Sequence, residues 1–340
     1  MLFRSNDTAT TEFYTRPYTL SLHDALPIYG SGTSLYVASQ KYVPGLQDAG
    51  DVPGTMRTEI HRFDASKPGE TTYAGSGTVP GFVVNAYALS EQDGALRVAS
   101  TDEPSWLPEG GERSPAQSYV TVLKPGDGGA LTQAGQVGGL GQGQRIYAVR
   151  FAGTTGFVVT FRQVDPLYTV DLTDPSAPRV VGELEIPGYS AYLHPLGDGL
   201  LLGVGQEATA SGQPQGTQVS VFDVSDLAHP KRVQHVVFGH GSSDAEFDPH
   251  AFLWWAPTHT AVLPLTTYDE QTQQSFTGAV GLHAAADALA EYGRVTHGTG
   301  EDAAPIARSL VIGDRLYTLS YRGLGANRLD TLAPLSFTAF

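Results

Sequence analysis

From Arg145 to Gln206 the chain repeats one short phrase: about seven extended residues, a turn, then seven more. The words RIYAVRF, TGFVVTF, PLYTVDL and RVVGELEI are rich in β-branched, aromatic and aliphatic residues, and AGT, RQVD and TDPSAP separate them. Side chains of an extended backbone alternate between faces, so a run such as Phe157-Val158-Val159-Thr160-Phe161 suits a strand packed on both sides. Gly supplies positive φ and Pro pre-sets φ in the intervening turns. Four antiparallel strands over 145–186 make one twisted sheet, and at Tyr189 the phrase begins again. The 40 Gly and 22 Pro of the chain suit many tight turns and argue against long helices.

The phrase runs in both directions from there. Complete units are read from Gly81, Arg145, Tyr189, His250 and Ala304, and a partial one of three strands spans Ser34–Pro80. Their first strands superpose: Asn85-Ala86-Tyr87, Tyr147-Ala148-Val149, Ser190-Ala191-Tyr192, His250-Ala251-Phe252 and, more loosely, Ala307-Arg308-Ser309, about 55 residues apart. Alanine in the middle of the first four lets neighbouring sheets approach at a crowded axis. Four-stranded sheets at this period predict an all-β chain folded as a β-propeller, with about five complete blades plus one partial blade over residues 29–340. Residues 1–28 carry no such phrase and resemble the conceptual translation of sequencing-adaptor DNA. They are expected to be a non-native, disordered leader, which leaves the propeller truncated at its N-terminus and its total blade number open. A long polar loop carrying Trp106 separates the second and third strands of the unit that begins at Gly81.

Charge narrows the partners. The net charge is −15 and the only lysines are Lys41, Lys67, Lys124 and Lys231, so no polybasic patch can form. That balance disfavours nucleic acid and anionic membrane. Cysteine is absent, which excludes disulfides, thiolate metal sites and a Cys nucleophile. No run of 18 apolar residues is present to span a bilayer.

The phrases TEIHRFD, GFVVNAYALSE, GGLGQGQRIYAVRF, VVTFRQVDPLYTVDL, IPGYSAYLHPLGDG, QVSVFDVSD and RSLVIGDRLYTLS resemble the secreted bacterial family of β-propeller domain proteins, over nearly all of the chain after residue 28. The resemblance implies an extracellular or cell-surface-anchored protein whose propeller starts upstream of this fragment, and it implies no catalytic activity. At Asp248-Pro249-His250 the chain departs from the family, which usually has a second histidine just before this one.

Two constellations invite chemistry. Asn85, Tyr147, Ser190 and His250, with Arg308 in the fifth unit, hold equivalent places in strands that line a propeller axis. They are the candidate ligand-binding residues of an axial channel; the alternative is a channel of water and satisfied polar groups. Glu246, Asp248 and His250 follow Asp244 at alternate positions, and an extended backbone would put them on one face as ligands for a divalent cation, the one cofactor under consideration. The other reading is an acidic loop leading into a strand. His240-Gly241-Ser242-Ser243-Asp244 holds the residue types of a catalytic triad, but neighbours within one loop rarely adopt its geometry. Of Trp254 and Trp255, adjacent on a strand, at most one can serve as a ligand platform. The expected function is an extracellular binding or scaffold module for an unknown protein or small ligand. The alternative is an extracytoplasmic hydrolase or metal-dependent enzyme with its site at the propeller axis.

Overall fold

The computed structural model describes residues 26–43, 55–103, 115–161, 165–209, 213–269 and 272–340. They form six antiparallel sheets, each a meander of consecutive strands, with no α-helix among the described residues. The first blade comprises β1 (Ile28–Gly30), β2 (Ser34–Val43), β3 (Thr55–Asp64) and β4 (Thr72–Pro80). The second runs β5 (Leu89–Gln92), β6 (Ala95–Asp102), β7 (Gln117–Pro125), β8 (Leu131–Leu140). The third is β9 (Arg145–Ala152), β10 (Thr155–Phe161), β11 (Asp165–Asp171), β12 (Arg179–Ile186), and the fourth β13 (Tyr189–Gly197), β14 (Leu200–Ala208), β15 (Pro214–Asp223), β16 (Lys231–Val237). In the fifth, β17 (His240–Ser242) and β18 (Leu253–Trp255) share the inner position against β19 (Thr260–Asp269), followed by β20 (Gln274–Ala284) and β21 (Leu289–Val295). The sixth is β22 (Arg308–Ile312), β23 (Arg315–Ser320), β24 (Gly323–Arg328), β25 (Pro334–Ala339).

The first blade corrects the three-strand expectation. Ile28, Tyr29 and Gly30 pair with Val37, Tyr36 and Leu35, and the Ala38 amide donates to the Pro27 carbonyl. Tyr29 stacks on Tyr36, and its hydroxyl accepts from the Glu91 amide of the second blade. The inner strand of this blade therefore takes in Ile28, the last residue assigned to the leader. Residues 1–25 of that leader lie outside the described residues, as does Trp106.

The core lies between blades. One apolar cluster joins the first three sheets through Tyr36, Ile60, Val98, Val120 and Val170, and others join the third to the fourth, the fourth to the fifth and the fifth to the sixth. A recurrent close approach locks them. A Cβ on Gly135 in β8 would lie 2.5 Å from the Pro175 carbonyl oxygen of the third blade's last turn. A Cβ on Gly182 in β12 would lie 2.0 Å from the Leu227 carbonyl in the corresponding turn of the fourth. Gly77 stands in the same relation to Leu131, at 2.4 Å. Those turns are preformed by Asp side chains: Asp171 Oδ1 accepts from the Thr173 amide and Asp223 Oδ1 from that of Ser225.

Burial of the second strands shows which blades have two neighbours. Residues 95–101, 156–160, 201–206 and 260–265 are buried without interruption, so both faces of blades two to five are covered. In β2 only Ser34, Tyr36 and Ala38 are buried, and in β23 only Leu316, Thr318 and Ser320. Such alternation means one packed and one solvated face. Among the described residues, the first and sixth blades each have one covered side.

Candidate functional site

First strands of successive blades adjoin one another, β9 with β13 and β18 with β22, so they form the inner ring. At the upper end, where these strands begin, Tyr147 of β9 meets Phe161 and Tyr189 with ring centroids 5.3 Å away in each case. Tyr147 is 39% exposed and offers an aromatic surface at the rim. Ser190, directly after Tyr189, is buried and turned away from solvent.

Two of the five superposed triplets are not strands. Asn85 caps a 3-10 turn over Ala86–Ala88, its side-chain oxygen accepting from the Tyr87 amide at 2.9 Å. His250 lies in a second such turn, Pro249–Ala251, capped by Asp248, whose Oδ1 accepts from the His250 amide at 3.0 Å. Asn and Asp offer the backbone a local acceptor, and here that competes successfully with the sheet ladder. The segment between β17 and β18 thus breaks the inner strand of the fifth blade, and the extended backbone expected from Asp244 to His250 is not formed.

This break separates the expected metal ligands. Glu246 belongs to an earlier turn, Asp244–Glu246, where Ser243 and Glu246 form a capping box. The Glu246 carboxylate accepts from the Ser243 amide at 2.9 Å and from Gln206 Nε2 at 2.7 Å, and burial raises its pKa. Asp248 instead meets Arg308 Nη2 at 2.7 Å and His250 Nδ1 at 3.2 Å near the surface. Partial burial works against its charge, but the His250 amide, the imidazole and Arg308 together hold its pKa below the ordinary value. Glu246, Asp248 and His250 do not converge, and among the described residues no group of three His, Asp or Glu side chains could hold a metal ion. The triad-like residues fare similarly: the Ser243 hydroxyl is buried and donates to the Pro264 carbonyl at 2.6 Å.

Of the five axial candidates, the structure joins His250 and Arg308 through Asp248. A further convergence involves the third members of the triplets. Tyr87 of the second blade and Tyr192 of the fourth meet with ring centroids 6.2 Å apart. That contact bypasses the third blade, so both phenols point into the axis. Arg150 of the third blade closes the gap, its guanidinium 4.7 Å from the Tyr87 ring centre. The Tyr192 hydroxyl lies 3.0 Å from His194 Nδ1, and both rings pack on Phe252 of the fifth blade, with centroids 5.1 Å away. Trp254 stands 6.4 Å beyond His194. Trp254 and Trp255 face opposite ways, the first toward the fourth blade and the second toward the sixth.

Electrostatics keep this cluster neutral apart from one charge. Burial, and secondarily Arg150, pushes the His194 pKa down to about 4. Burial also raises that of Tyr192, reinforced by Tyr87 and opposed by Arg150. At neutral pH the site therefore presents an imidazole, two phenols, two apolar aromatic rings and a guanidinium. The array suits recognition: flat π faces for stacking, with a few oriented polar groups.

Comparison with known proteins agrees with the fold. The family described as Beta propeller domain matches residues 7–332, and the chain belongs to it. The match begins inside the segment assigned to a foreign leader. An uncharacterised protein of Methanocaldococcus jannaschii is 39% identical over 179 residues, 53% of this chain and 26% of that protein. An uncharacterised protein of Archaeoglobus fulgidus is 38% identical over 197 residues, 58% of this chain and 28% of that protein. The matched segments are about a quarter of these relatives, and both relatives are archaeal, whereas the sequence resemblance pointed to bacterial proteins. The solved structure of Sqt1 from Chaetomium thermophilum aligns over 93% of this chain and 87% of its own, with 11% identity and a TM-score of 0.42.

Proposed function

We propose that this chain is an extracellular β-propeller module that binds a ligand or partner at its axis, without catalysis. One observation carries the reading: side chains from four blades, Tyr87, Arg150, Tyr192, His194 and Phe252, converge on one level of the channel. Propellers host many functions, so the site must decide. The one imidazole there, with its pKa near 4, is a poor base at neutral pH, and its Nδ1 neighbour is a phenol rather than an orienting carboxylate. The extracellular setting rests on the family resemblance. The described residues include no helix long and apolar enough to cross a membrane.

The test is a saturation-transfer NMR screen of aromatic acids, amines, sugars and divalent cations against wild type, Tyr87→Ala and Trp254→Leu. Hits that vanish in both variants are the expected outcome. Hits indifferent to both, or turnover of ester substrates abolished by His194→Gln, would overturn the proposal.

A further inference from the structure

We infer that Arg150 anchors a carboxylate carried on a flat, aromatic-sized ligand inside the axial cluster. This rests on the axial site and adds its ligand class. Arg150 stacks on Tyr87 and, among the described residues, makes no hydrogen bond or ion pair. Eight other described arginines meet a carboxylate, among them Arg308 with Asp248, Arg179 with Asp171, Arg294 with Glu291 and Arg328 with Asp330, and Arg62 meets the Ser34 hydroxyl; Arg57 alone shares with Arg150 the lack of a hydrogen bond or ion pair among the described residues. Even the buried Arg97 is braced by the Gln92 side chain, the Gly153 carbonyl and the Ser90 hydroxyl. In a chain with 35 acidic and 20 basic residues, a partly buried guanidinium left without a carboxylate is held apart from the abundant counter-charge.

The surroundings fit an incoming acid. A guanidinium presents five donors in a planar fork matched to a carboxylate, and stacking on a ring fixes the plane of that fork. Tyr192 and His194 stay uncharged beside it, so nothing in the cluster repels an anion or satisfies the cation. If the Tyr192 hydroxyl donates to His194 Nδ1, the imidazole proton resides on Nε2, a second donor. The partly exposed Tyr87 and Trp254 rings supply the surface on which the flat body of the ligand would lie, over the buried Phe252. A bare phosphate could use the charge but not those faces.

The experiment titrates benzoate, its neutral isostere benzamide and inorganic phosphate into wild type, Arg150→Gln, Arg150→Lys and Trp254→Leu, read by ligand-observed NMR at pH 7. Melting temperatures serve as the control for folding. We expect saturable benzoate binding, roughly tenfold tighter than benzamide, since a hydrogen-bonded charge contributes about that much. Arg150→Gln should reduce benzoate to the benzamide level, Arg150→Lys should retain part of the difference, and Trp254→Leu should weaken both ring ligands. Equal affinity for benzoate and benzamide, with both lost in Trp254→Leu, would sink the carboxylate assignment and leave the axial site standing. Phosphate as tight as benzoate would replace the proposed class with a simple anion site. No saturable binding, or binding that all three variants leave intact, would overturn both readings.

Discussion

His194 carries a pH dependence whose sign follows from its burial. Its pKa is about 4 in the folded chain and near 6.5 when exposed, so below pH 6.5 the unfolded chain binds the extra proton. Stability should therefore fall as the pH drops from 6.5 toward 4. One proton sets a ceiling of about 1.4 kcal/mol per pH unit, and screening at this partly buried ring should bring the total nearer to ~1–2 kcal/mol. His61 and His297 are lowered by burial as well, so the informative quantity is wild type minus His194→Gln. Urea unfolding at pH 7, 5.5 and 4.5 should show that difference shrinking with acidification. A constant difference would mean that the His194 ring is solvated. At this scale the sequence pointed close to the site. Tyr87, Tyr192 and Phe252 stand two places after Asn85, Ser190 and His250, so they are the third members of the same superposed triplets. The converging aromatic groups are these thirds, whereas four of the five candidates are the variable firsts and Arg308 is a second. The aromatic recurrence was visible in the sequence. Arg150 and His194 had no such repeat to mark them.

Strand words and turns were legible because period-two patterning and Gly/Asp/Pro punctuation are local properties. The 3-10 turns at Asn85 and Asp248 were not, since an Asx cap and a strand entry use the same residues and differ only in what the neighbouring blade leaves room for. Locks between blades are also tertiary facts. Gly182 reads as one more glycine, yet its missing side chain admits the Leu227 carbonyl of the next blade, which also accepts from the Thr169 hydroxyl at 2.5 Å. Gly182→Ala should therefore destabilise by overpacking, ~1–3 kcal/mol. Gly94→Ala is the matched control: nothing lies within 4 Å of its Cβ position, and its φ of +72° leaves only the left-handed penalty of ~1–2 kcal/mol. Circular dichroism melts should rank Gly182→Ala as the more damaging, with poorer cooperativity because the contact joins two sheets. The reverse order would show that the Leu227 turn moves aside without cost.

Across the whole molecule, the propeller was readable from repetition alone, but the completeness of the first blade was not. Three residues, Ile28–Gly30, suffice for its inner strand, too few for a sequence word. Repetition also fixes what the end blades should feel. An internal sheet buries both faces, while β22 and β23 bury only the side toward the fifth blade, where Val311 and Leu316 join the cluster with Val262, Val295 and Ile306. Leu310 and Ile312 point the other way and are 45% and 62% exposed. Neighbouring leucines in one hairpin should thus differ sharply. Leu316→Ala removes a fully buried side chain and should cost ~2–5 kcal/mol, whereas Leu310→Ala should stay within about 0.5 kcal/mol of wild type. Guanidinium unfolding of the two variants measures both at once. A loss at Leu310 as large as that at Leu316 would mean the free side of the sixth blade is covered in solution. Agreement with the expected contrast would place the sixth blade's packed face on the side of Leu316, against the fifth.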